Sequence, residues 1–124
     1  MTKRVRVKLN KCIRNSHEAG SDDSKMISRV FYEIVVNGNK QGNFHSDIKQ
    51  SVGSADNGDD LEVTVPDGYN GPLDYERFAK GIRGYYQRLA GPQGSAVAYG
   101  GTTHTVKKNT TIVMDAEFEF DAQA

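Results

Sequence analysis

The two ends of the chain alternate with a period of two, and their polar faces carry opposite charge. Val5, Val7 and Leu9 are interleaved with Arg4, Arg6 and Lys8. Ile112, Met114, Ala116, Phe118 and Phe120 are interleaved with Asp115, Glu117, Glu119 and Asp121. Successive side chains of a strand point to opposite faces, so each run reads as a strand with one face in a core and the other in water. Opposite charges facing each other across two strands stabilise the pair, whereas like charges destabilise it. The pattern therefore predicts that the N- and C-terminal strands are neighbours in one sheet. The rival arrangement leaves the cationic strand alone at an edge, guarded by Lys and Arg against aggregation or facing a nucleic acid.

The same segregation runs through the whole chain, although its 16 basic and 16 acidic residues sum to zero. Residues 1–14 hold six bases and no acid, and residues 54–76 hold seven acids and no base. Residues 77–108 hold six bases and no acid, and residues 109–124 hold four acids. Such blocks either neutralise each other in the fold or form separate patches for partners. The overall balance argues against nucleic acid as a partner. The acid-free region 77–108 is where a small anion is expected first.

Length and cysteine usage set the broad class. The 124 residues fit a single domain, 1–124, large enough to bury a core without staples. One cysteine cannot form an intrachain disulfide, so a stapled secreted scaffold is excluded and a cytoplasmic location is expected. No apolar run approaches the roughly 18–20 residues that a membrane span requires. The basic N-terminus has no apolar segment behind it, so it does not read as a secretory signal.

Between the terminal strands, Ile27–Val36 is rich in β-branched and aromatic residues, and Asn37-Gly38 follows it at once. That dipeptide tolerates positive φ at both positions and predicts a hairpin, returning along Lys40–Ile48. Leu61, Val63 and Val65 form a short strand ended by Pro66-Asp67-Gly68. Further short strands are expected at Ala96–Tyr99 and Thr102–Val106. The alternation of the first strand slips near Cys12 and Ile13, which predicts a bulge or the end of the strand there. Residues 15–25 are small and polar and read as a loop. One helix is expected at about 74–89, with Tyr75, Phe78, Ala79, Ile82, Tyr85, Tyr86 and Leu89 on an apolar stripe. The expected fold is mainly β, of α+β type: an antiparallel β-sandwich or curved sheet of about six or seven strands with one amphipathic helix packed on it.

Few residues form a constellation that chemistry requires. At about 100° per residue, Arg77, Gly81, Gly84 and Arg88 share a second stripe of the helix. Two interior glycines each cost about 1 kcal/mol relative to alanine, so close approach of a ligand or a backbone would explain them. An arginine at either end could then hold an anion or carboxylate. Asp56, Asp59 and Asp60 sit in an acidic loop that could coordinate calcium, a hard cation that takes oxygen ligands, but the loop lacks EF-hand order. His45 and Asp47 share a strand face, whereas Cys12 and His17 have no second Cys or His nearby to complete a zinc site. No Gly-x-Ser-x-Gly, Walker A or dinucleotide fingerprint occurs, so no cofactor and no catalytic residue is expected.

The expected function is a non-enzymatic binding module that acts through loops or a sheet edge, with another protein or a second copy as its partner. The alternative is a small anion or nucleotide-type ligand held by the basic helix and Gly-rich segment 77–108. A third reading is calcium binding by acidic loops 15–24 and 54–62.

Overall fold

The computed structural model describes residues 1–18, 26–49, 61–87, 96–105, 107 and 109–123. Four strands precede the helix: β1 (Thr2–Glu18), β2 (Met26–Val36), β3 (Asn39–Lys49) and the short β4 (Glu62–Val63). Helix α1 (Tyr75–Tyr86) is followed by β5 (Ala96–Tyr99), β6 (Thr102–Thr105) and β7 (Thr110–Gln123). Five strands form one antiparallel sheet in the order β4-β3-β2-β1-β7, curled into a half-barrel, and β5 pairs with β6 in a separate two-stranded sheet. Of the two architectures expected, the curved sheet is the one that forms.

The terminal strands are neighbours, as their charges require. Arg6 lies opposite Glu119, Arg4 opposite Asp121 and Lys8 opposite Glu117. The Arg4 Nε donates to Glu119 at 2.7 Å and its Nη1 to Asp121 at 3.2 Å, while the Arg6 Nε donates to Glu119 at 3.1 Å. On the opposite face Val5, Val7, Phe120 and Ala122 are buried together. The β2–β3 hairpin turns at Asn37 (φ 48°) and Gly38 (φ 82°), the paired positive dihedrals that a two-residue turn needs to match strand twist.

Helix α1 lies across the mouth of the curl, against β4 at one edge and β7 at the other. Asp74 caps its start by accepting from the Arg77 N–H. Phe78, Ala79, Ile82 and Tyr86 are buried, and the Phe78 ring meets Tyr32 of β2 edge-on at 5.7 Å. The half-exposed members of the stripe use their polar tips instead. The Tyr75 hydroxyl donates to the Val63 carbonyl (2.6 Å) and Arg83 Nε to the Leu61 carbonyl (2.9 Å) on the β4 side. The Tyr85 hydroxyl donates to the Glu117 carbonyl (3.0 Å) on the β7 side. An open sheet has unpaired carbonyls along both edges, and these side chains satisfy part of that demand.

Several boundaries differ from the sequence reading. Strand β1 continues to Glu18, so residues 15–18 are strand and not loop. The start of β2 supplies their pairing partners, with His17 opposite Ile27 and Glu18 opposite Met26, and this outweighs a polar composition. The break in β1 falls at Asn10, two residues before Cys12, where the register shifts against both β2 and β7. Strand β4 is shorter than Leu61–Val65 because Thr64 and Asp67 donate singly to the Asp47 and His45 carbonyls and do not extend the ladder. Helix α1 ends at Tyr86 with Gln87 as its cap, and residues 88–95 lie outside the described residues. No helix among the described residues is long and apolar enough to cross a membrane.

Candidate functional site

Among the described residues strand β7 is an edge strand: it pairs with β1 on one side and with no described strand on the other. The direction of its backbone groups follows from two observations. The Glu117 carbonyl accepts from Tyr85 and so faces the open side. The Arg4 N–H and carbonyl are both turned toward Asn37, at 2.9 Å each, so the Arg4–Asp121 pair is not hydrogen-bonded across the strands. In an antiparallel ladder the N–H and C=O of one residue point the same way and alternate from residue to residue. The backbone groups of Glu119, Asp121 and Gln123 therefore face the open edge. Nearer the start of the strand the Tyr99 hydroxyl covers the Met114 carbonyl at 2.8 Å. The odd spacing between Met114 and Glu117 reflects the register shift that places Asp115 at φ 44°.

A groove of about 550 Å³ runs between this edge and α1. Phe118 and Phe120 form its β7 wall, Arg77, Lys80, Gly81 and Gly84 its helical wall, and Arg4 and Glu119 its outer rim. Phe118 is central to this arrangement: its ring stacks on Tyr85 (6.2 Å) and Phe120 (6.3 Å) and touches Phe78 (6.4 Å). A second hollow, of about 460 Å³, shares Arg77 and continues past Leu73 to Asp121, Ala122 and Gln123. Together they follow the open edge from Tyr85 to the end of the strand, about 20 Å at the usual strand rise.

The glycine stripe of the helix borders this groove. Gly81 lies beneath the Phe118 ring, and a Cβ there would come within 2.6 Å of Phe118 Cζ. Gly84, by contrast, opens onto free space. Arg77 lines the groove with its Nε 3.6 Å from Asp74. Arg88 lies outside the described residues, as do Asp56, Asp59, Asp60 and the glycines of residues 91–95. Lys80, Tyr85, Phe118 and Glu119 escaped the sequence reading as site residues. Tyr85 reads locally as part of the helix's apolar stripe and Phe118 and Glu119 as the two faces of the last strand, and the closure of α1 onto β7 brings them together with Lys80.

Electrostatics at the rim are set by the cross-strand ladder. The Glu119 carboxyl is held below the usual carboxylate range, first by its hydrogen bond from Arg4 and then by that from Arg6. A carboxylate whose pKa is lower folded than unfolded contributes stability that is fully present above the unfolded value, near 4.5, and lost as pH falls through the folded one. Acid melting of the wild type should therefore show a declining limb below about pH 4.5 that is shallower in Glu119→Gln, the difference shrinking in high salt. Identical limbs in the two proteins would remove the ladder as their source.

The other polar clusters of the described residues are tied up within the fold. Asp47 accepts from Arg29 at 2.7 and 3.2 Å, while His45 faces Asp67 at 3.8 Å, so His45 and Asp47 do not form a pair. Cys12 is buried, and burial pushes its thiol up to about 12. Among the described residues no group of three His, Cys, Asp or Glu side chains could hold a metal ion. No family model, curated protein or solved structure matches the chain.

Proposed function

We propose that this protein is a binding module that takes an extended segment of a partner chain as an additional strand along β7. The observation that carries the reading is the row of outward backbone groups at Glu119, Asp121 and Gln123, bordered by an aromatic-walled groove. Main-chain hydrogen bonds supply affinity in this mode, and pockets for alternate side chains supply specificity.

The chemistry of the partner follows from the two faces of β7. Its outer face is acidic at Glu117, Glu119 and Asp121, and β1 already meets it with Arg4 and Arg6 on one side. A strand added on the other side continues the ladder when its outer residues are basic. Its alternate residues would enter the groove against Phe118 and Phe120, so they should be apolar. Two β7 strands paired with each other would bring acids against acids, which disfavours a second copy at this edge. The opposite edge of the sheet is less suitable. Strand β3 is interrupted where Gly42 adopts φ 137°, and Thr64 and Asp67 cover its Asp47 and His45 carbonyls.

A peptide with the sequence of residues 2–11, which has the required alternation, is a direct probe. It should bind the intact protein, with affinity falling as salt rises. Glu119→Pro removes the outward N–H without breaking a pairing to β1, and proline is tolerated on edge strands. It should remain folded and lose at least about tenfold in peptide affinity, the effect of removing a ladder bond and its neighbours. Glu119→Gln keeps the N–H and should weaken binding less. Equal affinity in wild type and Glu119→Pro would overturn the proposal.

A further inference from the structure

The break in β1 at Asn10 has a second effect: it turns the strand over. Before it, Val5, Val7 and Leu9 point inward and Arg4 and Lys8 outward. After it, Cys12 and Arg14 are the inward residues. A strand without a bulge would place Arg14 on the outer face with the other even-numbered bases. Instead its side chain is 1% exposed, and it is among the largest fully buried side chains in the protein.

This buried cation has no counter-charge among the described residues. Its Nε and Nη1 have no hydrogen-bond partner, and it takes part in no ion pair there. Among the described residues its polar neighbours are hydroxyls and a thiol. The Arg14 guanidinium lies against the Tyr86 hydroxyl, which is itself 2.9 Å from the Ser28 hydroxyl, and Cys12 is two residues away on the same face. None of them supplies negative charge: burial pushes both the Tyr86 phenol and the Cys12 thiol up, so both are neutral near pH 7. Arginine does not relieve its own burial by releasing a proton. An unpaired buried charge is strongly unfavourable, and one paired with an anion far less so.

We propose that Arg14, together with the Tyr86 and Ser28 hydroxyls, forms a binding site for a small oxyanion, a carboxylate or phosphate group, at the end of the half-barrel away from the Asn37-Gly38 turn. The Arg14 Nε and Nη1, which have no partner, are the donors that such a group recruits, beside the Ser28–Tyr86 hydroxyl pair, which spends one of its two protons between its own oxygens. The site stands apart from the β7 groove and does not rest on the peptide reading. It also differs from the stripe of Arg77, Gly81 and Gly84, where Arg77 is already close to Asp74 and the walls are open to solvent.

A ligand that binds only the folded state raises its melting temperature. Inorganic phosphate and acetate, each titrated against chloride at constant ionic strength, separate the two oxyanion classes. At least one should raise the melting temperature of the wild-type chain by several degrees. Arg14→Met, which replaces the charge with an apolar chain of similar length, should be unresponsive. Lys40→Met, which removes an exposed cation of the β2–β3 hairpin, should respond like the wild type. If Arg14→Met does not fold, Ser28→Ala retains the cation and should lower the apparent affinity for the responding anion. A wild-type melting temperature unmoved by either anion would overturn the proposal. A response that persists in Arg14→Met, or is unchanged in Ser28→Ala, would overturn it as well.

Discussion

Truncating Phe78 to alanine should lower stability by about 3–5 kcal/mol, the usual range for removing a fully buried aromatic ring. For a chain of this length that corresponds to a fall in melting temperature on the order of 10–20 °C. Phe78 is fully buried where the helix meets the sheet, with its ring against Tyr32 of the central strand β2 and close to Phe118 of the edge strand β7. Ile82 and Tyr86 are buried beside it, and the Tyr86 hydroxyl lies 2.9 Å from the Ser28 hydroxyl of β2. The contacts of the helix with β4 and β7 are peripheral, made largely by the hydroxyls of Tyr75 and Tyr85 and by Arg83. Each such hydrogen bond contributes only about 1 kcal/mol net. Phe78 therefore ties the helix to the centre of the sheet together with Ile82 and Tyr86. Urea melts that give a lower midpoint at unchanged slope would register the effect as lost stability. A loss below about 1 kcal/mol would mean that the ring is not a core element, and that the groove wall it supports is held some other way.

How much of this was readable beforehand depends on how local each feature is. The neighbouring terminal strands were legible because the charge alternation of Arg4, Arg6 and Lys8 has a complement at Glu117, Glu119 and Asp121, and side-chain period alone fixes the faces. The Asn37-Gly38 turn was legible because two residues determine it, and the helix because its stripe repeats over three turns. The inward turn of Arg14 was not. It depends on one extra residue at Asn10, and composition around Cys12 signals only that the alternation fails, not where the strand turns over. The extension of β1 through residues 15–18 was hidden for a related reason, since its partners in β2 lie across a segment of polar residues.

The candidate site is the least local feature of all. Tyr85 counts as apolar in any stripe, yet its hydroxyl covers an edge carbonyl. Phe118 reads as one of several alternating apolar residues, yet it is the ring on which the helix rests at Gly81. Neither role exists until α1 closes against β7. The charge blocks, by contrast, do predict where to look: the outer face of β7 is acidic at Glu117, Glu119 and Asp121, and among the described residues the ion pairs to it come from β1.

The two interior glycines of α1 should respond to alanine with opposite signs. Both substitutions gain about 1 kcal/mol of helix propensity. At Gly84 nothing within 4 Å opposes an added Cβ, so Gly84→Ala should raise stability by about 0.5–1 kcal/mol. At Gly81 the added methyl would meet the Phe118 ring, within 2.6 Å of its Cζ. That ring cannot swing aside freely, because Tyr85 and Phe120 stack on it and Phe78 lies behind. Overpacking of this kind costs about 1–3 kcal/mol and outweighs the propensity gain, so Gly81→Ala should be less stable than the wild type by about 1 kcal/mol. The displaced ring also has only the groove to move into. Gly81→Ala should therefore weaken binding of the residue 2–11 peptide more than Gly84→Ala does. Stability gains at both positions would show that Phe118 does not rest on Gly81, and the close approach of helix to strand that shapes the groove would have to be abandoned.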